Sequence, residues 1–233
     1  KRTSLLSLWQ EQGENFYPER ADFTFKRYLG DDFAANLTTS YPVLCRRDLG
    51  DQIGQMLRPT QKAWFNMVPL DMRREDNETK RWLEWAGGTM FRAMHDPHSM
   101  FERAEKEGDH DFATFGQDVV SVRLNRNRDA MLYRCWHLRD VAWIEDDEGN
   151  CCPVFRRWKP TAQTLVRLSK TSPTFKIDQK IEELNSKEPF TEVDCLHMIV
   201  PAEMYSDKTL FPYWSIYYDC RNDKLIEAVP TWN

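Results

Sequence analysis

Two Cys-x-His pairs, Cys135-x-His137 and Cys195-x-His197, each put a thiol and an imidazole two residues apart in stretches that read as extended chain. Side chains two apart on a strand share a face, so two such strands side by side would offer the four nitrogen and sulfur ligands that tetrahedral zinc prefers. The chemistry would be metal-dependent hydrolysis, as in a nuclease. Nothing in the sequence makes the two strands neighbours. Cysteine and histidine set among Trp136, Leu196 and Met198 also satisfy ordinary core packing, so the expectation is no metal and no cofactor.

Other candidates carry less. His95-Asp96-Pro97-His98, with His110 and Asp111 beyond, is split by a proline that breaks any aligning helix, which leaves helix-end chemistry as its use. Asp146, Asp147 and Glu148 lack the alternate oxygen spacing of a calcium loop and read as a solvated turn. No phosphate-cradling glycine loop, nucleophile elbow or His-Glu-x-x-His is present, so the common nucleotide-dependent and hydrolytic classes lack their local signatures. The basic pairs Arg46-Arg47, Arg73-Arg74 and Arg156-Arg157 are separate. Arg156 and Arg157 are the candidates for contact with DNA or with a neighbouring subunit.

These residues must be held by elements that the hydrophobic pattern outlines, and the pattern predicts an α+β protein of packed helices and antiparallel hairpins. Leu5, Leu6, Leu8, Trp9 and Phe16 predict a first helix ending near Tyr17-Pro18, followed by an extended surface arm to about residue 43. A helix over 44–57 carries Gly50 and Gly54 four residues apart, a spacing that suits close helix packing. Ala63 to Val68 predicts a short strand. The central stretch Trp82 to Leu124 predicts a helix with a broad apolar face ending at Asp96-Pro97. A second helix then starts on a Ser99/Glu102 capping box, with Phe101, Ala104, Gly108, Phe112 and Phe115 on one stripe and Gly116 as a left-handed cap. Val120, Val122 and Leu124 open a hairpin that turns at 126–129 and returns through Leu132, Arg134, Trp136 and Leu138. A second hairpin, 141–145 with 152–158, turns at Asp147 and Gly149. Two surface helices follow, the first capped by Thr161 and the second built on Ile177, Ile181 and Leu184. The tail reads as a strand over 193–200 and a hairpin from Trp214 to Val229.

The chain has 233 residues, 41% hydrophobic and 13% aromatic, enough material for one large core or two modest ones. Six cysteines without regular spacing, beside nine tryptophans, predict free thiols in a reducing compartment. Lacking a long apolar run or a signal-peptide prelude, the sequence predicts a soluble product with no membrane partner. The net charge of −5 argues against a general basic grip on nucleic acid, while a channel along which DNA slides would want such weak affinity.

The order of several features resembles the head-to-tail connector, or portal, proteins of short-tailed bacteriophages. The resemblance runs over most of the chain. It rests on Asp48-x-Gly50, on Leu57-x-Pro59 leading to Trp64-Phe65, on Trp82-Leu83, on Phe101 through Phe115-Gly116, and on Asp147-x-Gly149 followed by Arg156 and Thr161-Ala162. It implies a structural virion protein, made in the host cytoplasm and without catalysis of its own. Such a protein forms a dodecameric ring at one capsid vertex, meets capsid and scaffolding proteins, docks the packaging motor (terminase) and later the tail adaptor proteins, and passes double-stranded DNA non-specifically during packaging and ejection. Stem and clip helices of such subunits are not recognisable here. The expectation is thus a wing-like portion spanning 1–233, with a helix and arm to residue 43 and an α+β body over 44–233. The alternatives are a metal-dependent phage nuclease using Cys135, His137, Cys195 and His197, and a monomeric adaptor.

Overall fold

A computed structural model describes residues 2–28, 30–34, 37–59, 62–70, 76–125, 127–206 and 210–232, with backbone alone at 2 and 151. The predicted α+β class holds. The chain forms two compact units, 1–139 and 140–233.

In the first unit, α1 (Arg2–Phe16), α2 (Tyr41–Leu57), α3 (Asn77–Met94) and α4 (Phe101–Phe115) precede a ribbon of β1 (Val120–Leu124) and β2 (Met131–Cys135). Its centre is aromatic. Trp9 of α1, Phe23 and Phe115 of α4 are all buried, with ring centroids 5.1 to 6.4 Å apart. The segment after α1 begins as more than a surface arm, because Gln10 ties down residues 21–24, while most described residues from 25 to 40 are exposed and outside any helix or strand. The Gln10 side-chain oxygen accepts from the Phe23 and Thr24 amides at 2.8 and 3.2 Å, and its amide nitrogen donates to the Ala21 carbonyl at 2.9 Å. Those bonds bury Ala21 and Phe23.

Gly50 and Gly54 do what their spacing implies. A Cβ at Gly50 would stand 2.2 Å from His110 Nδ1 and one at Gly54 2.7 Å from Asp109 Oδ2, so α2 lies against α4 with no room for a side chain at either point. Gly116 caps α4 at φ 71° and its amide donates to the Phe112 carbonyl at 2.9 Å. Gly116→Val is expected to cost about 1–2 kcal/mol, since a β-branched side chain is penalised at positive φ. A denaturant midpoint equal to that of the parent would contradict this.

Other expectations fail in this unit. Residues 63–68 form no strand; Trp64 instead packs on the cluster of Phe101, Ala104 and Tyr133. The Ser99/Glu102 box is absent. Ser99 sits inside a 3-10 turn (Pro97–Ser99), its hydroxyl donates to the Met94 carbonyl, and Met100 caps α4 in a left-handed conformation. The apolar face of α3 is not a core face, for no residue of α3 is buried and Trp82 and Trp85 are 58% and 63% exposed. On α4, Phe112 is exposed, whereas Asp109, His110 and Asp111 are buried. The returning strand also stops at Cys135, and Leu138 is buried in a short helical turn.

The second unit is an antiparallel sheet in the order β3 (Val141–Glu145), β4 (Cys151–Trp158), β5 (Cys195–Pro201), β6 (Tyr213–Asp219) and β7 (Lys224–Thr231). α5 (Ala162–Thr171) and α6 (Gln179–Lys187) lie between β4 and β5 in sequence, and the short α7 (Ala202–Tyr205) follows β5. Thr161 and Asp178 cap α5 and α6 by accepting from the Thr164 and Lys180 amides. The two helices are more than surface elements. Ala162, Leu165 and Ile181 on their inner faces build the core with Phe175, Val193, Cys195 and Ile226. Both predicted hairpins form. Asp146 accepts from the Glu148 and Asn150 amides while Gly149 takes φ 84°, and buried Asp219 accepts from Arg221 and Asn222 in the β6–β7 turn.

Candidate functional site

Cys135 ends the two-stranded ribbon with His137 just beyond it, while Cys195 and His197 lie on β5 of the five-stranded sheet. Each has another role. The Cys135 thiol donates towards Asp111 at 3.7 Å, and burial pushes its pKa up to about 12. His137 Nε2 lies 3.0 Å from Asp22 Oδ1 and 3.2 Å from the Arg20 carbonyl, while Nδ1 accepts from the Arg139 amide, a pattern that fixes the ring's orientation. Cys195 is buried in the second core with its thiol likewise raised to about 12, and His197 stacks on Tyr217 at 4.2 Å and meets Ser215 Oγ at 2.9 Å. Burial thus disfavours the thiolate at both positions. Among the described residues no three His, Cys, Asp or Glu side chains are grouped to hold a cation. His95 stacks on Phe91 and Asp96 caps the turn that follows, so that cluster serves helix ends.

What the first unit does assemble is a polar seam along α4 that the sequence did not announce. Arg20 Nε meets Asp111 at 3.2 Å. Arg46 lies over the Tyr17 ring at 3.9 Å and donates to His110 Nδ1 at 3.1 Å, and His110 Nε2 faces Asp51 at 3.5 Å. Further along, Arg58 bonds both Glu105 (3.2 Å) and Asp109, beside a cleft of about 650 Å³ whose walls include Gly54, Phe101 and Glu105. Burial raises the carboxyls of Glu105 and Asp118, while burial and the Arg46 charge lower His110. The signal in the sequence was the run Asp109-His110-Asp111 directly after Gly108, polar residues on a helix that is contacted from more than one side.

Asp111 gives a test with a definite sign. Burial outweighs Arg20 and lifts its carboxyl to about 6, above the ordinary aspartate value of 3.8. The folded state therefore binds this proton more tightly than the unfolded chain does, and the associated stability is present below about pH 4 and lost as pH rises through about 6. His110, lowered, works the other way by losing stability as the solution is acidified. Asp111→Asn removes only the first effect. Its stability relative to the parent is expected to improve by up to about 3 kcal/mol between pH 4 and pH 7, read from denaturant curves at each pH. A gap that does not change with pH would contradict this.

The remaining residues singled out earlier serve packing and turns. Asp48 is exposed on α2, Pro59 follows its end, Trp64 and Phe65 meet edge to face at 5.0 Å, Leu83 is half-buried, and Asp147 is exposed in its turn. Arg156 is buried on β4 with its guanidinium 5.7 Å from the Trp158 ring centre, whereas exposed Arg157 pairs with Asp194 at 3.2 Å and shares it with Lys159. Arg73 and Arg74 lie outside the described residues.

The described residues thus show buried thiols, paired charges and a helix, α3, whose Trp82 and Trp85 are exposed. Residues 1–229 match the family of the bacteriophage head to tail connecting protein, and the chain belongs to that family. No curated protein matches it. Among the described residues no helix is long and apolar enough to cross a membrane.

Proposed function

We propose that this chain is the wing-like body of a portal subunit: a structural protein without catalysis that closes into a ring, dodecameric by the resemblance, at one capsid vertex. Double-stranded DNA passes through the ring during packaging and ejection. Capsid and scaffolding proteins, the packaging motor and tail adaptors are its partners.

A closed head-to-tail ring needs two interfaces on every subunit, and the observation that carries this reading is the uncovered aromatic face of α3. Uncovered Trp82, Trp85 and Met90 on α3 are the residue types that anchor such contacts. Native mass measurement and electron micrographs of the full-length protein test the reading. Closed rings with a central hole are expected, and a monomer at micromolar concentration would overturn it.

A further inference from the structure

We propose that the ribbon of β1 and β2 is a contact for the phosphate backbone of duplex DNA, made through Arg123, Arg128 and Arg134. This rests on the reading of the ring as a DNA conduit and names the surface that meets the cargo.

Charge is concentrated there. Residues 120–136 contain four arginines and one aspartate, a net +3, and because the whole chain carries −5 the rest of it carries −8. The one acid does not neutralise them: Asp129 is engaged by Asn125, whose side-chain nitrogen donates to it at 2.6 Å. No ion pair among the described residues holds Arg123, Arg128 or Arg134, all three exposed, whereas Arg20, Arg58 and Arg157 each have a carboxylate within 3.2 Å.

Register sets the geometry. Arg123 pairs with Leu132 and Ser121 with Arg134, so the two arginines share one face as diagonal neighbours, about 7–8 Å apart at Cα. Arg134 is steadied by Trp136, whose ring centre lies 5.2 Å from the guanidinium, and Arg128 is presented by the turn at φ 60°. Tyr133 on the opposite face anchors the ribbon against Phe101 and Ala104 of α4. Val122 and Leu124, nearer the tip, remain exposed. A two-stranded ribbon is narrow enough to approach a groove, and the planar guanidinium matches phosphate oxygens. Charge-only contacts carry no base information, so the contact is indifferent to sequence.

The test uses the full chain, a short duplex with a fluorescent label, and a salt titration of affinity. Arg123→Gln with Arg134→Gln is expected to weaken binding at low salt about tenfold and to reduce the slope of log affinity against log salt by about 2. Arg167→Gln with Lys170→Gln on α5, an equal loss of charge, should change affinity less than about twofold. Circular dichroism confirms that both variants are folded. Equal losses in the two variants, no loss in the first, or no binding by the parent at low salt would each overturn the ribbon's role. So would a defect confined to self-association, which would assign the ribbon to an acidic protein face. Rings that form normally while the ribbon variants bind DNA like the parent would remove this proposal and leave the conduit standing, whereas absence of rings would count against the conduit itself.

Discussion

Phe115→Ala is expected to lower the stability of the first unit by about 3–5 kcal/mol, the largest single effect in that half of the chain. Phe115 ends α4 with its ring edge-on to both Trp9 and Phe23, at 6.4 and 5.1 Å. Truncation leaves a hole walled by α1 and by the segment that Gln10 holds in place, and neither is free to collapse into it. The cost is therefore that of transfer plus a cavity. Glu148→Ala, in the exposed turn between β3 and β4, is the control and should stay within about 0.5 kcal/mol. Comparable denaturant midpoints for the two variants would refute the assignment of Phe115 to the core.

Leu165→Ala should cost the second unit about 2–5 kcal/mol. Leu165 has no exposed surface, and it packs within a cluster formed by α5, α6 and the inner face of the sheet. Leu168 one turn along is only half-buried, so Leu168→Ala should cost less. Reversal of that order in chemical denaturation would mean that α5 docks on a different face.

How far the sequence reaches depends on whether the deciding contact is local. Gly116 and Gly149 follow an apolar period and precede a change of pattern, and both take the positive φ that only their own chain segment dictates. The hairpins of the second unit and the cap Thr161 were legible for the same reason, and the paired glycines Gly50 and Gly54 signalled close helix packing without naming the partner. Ala63 to Val68 has strand-forming residues but needs an edge to pair with, and an edge is not written in six residues. Trp82, Trp85 and Met90 repeat at helical spacing, yet periodicity says only that a face is apolar, not whether this chain or another covers it. The polar seam was hidden because its partners lie far apart: Asp111 meets Arg20 across ninety-one positions, and His110 meets Arg46 across sixty-four. The arginines of the ribbon were visible as residues, but their shared face depends on a register that pairs Arg123 with Leu132.

Burial of Cys135 and Cys195 also governs how the protein ages in air. Burial lifts both to about 12 and so disfavours the thiolate, the form that oxidants and alkylating dyes attack. Cys45 and Cys220 are exposed, and burial with nearby acids still raises the second. Among the cysteines whose side chains are described, cross-linking between copies and labelling by a maleimide fluorophore should therefore begin at Cys45, on the surface of α2. Replacing Cys45 with serine should slow that cross-linking on storage without reductant, and the parent's Cys45 is a ready handle for following assembly by energy transfer.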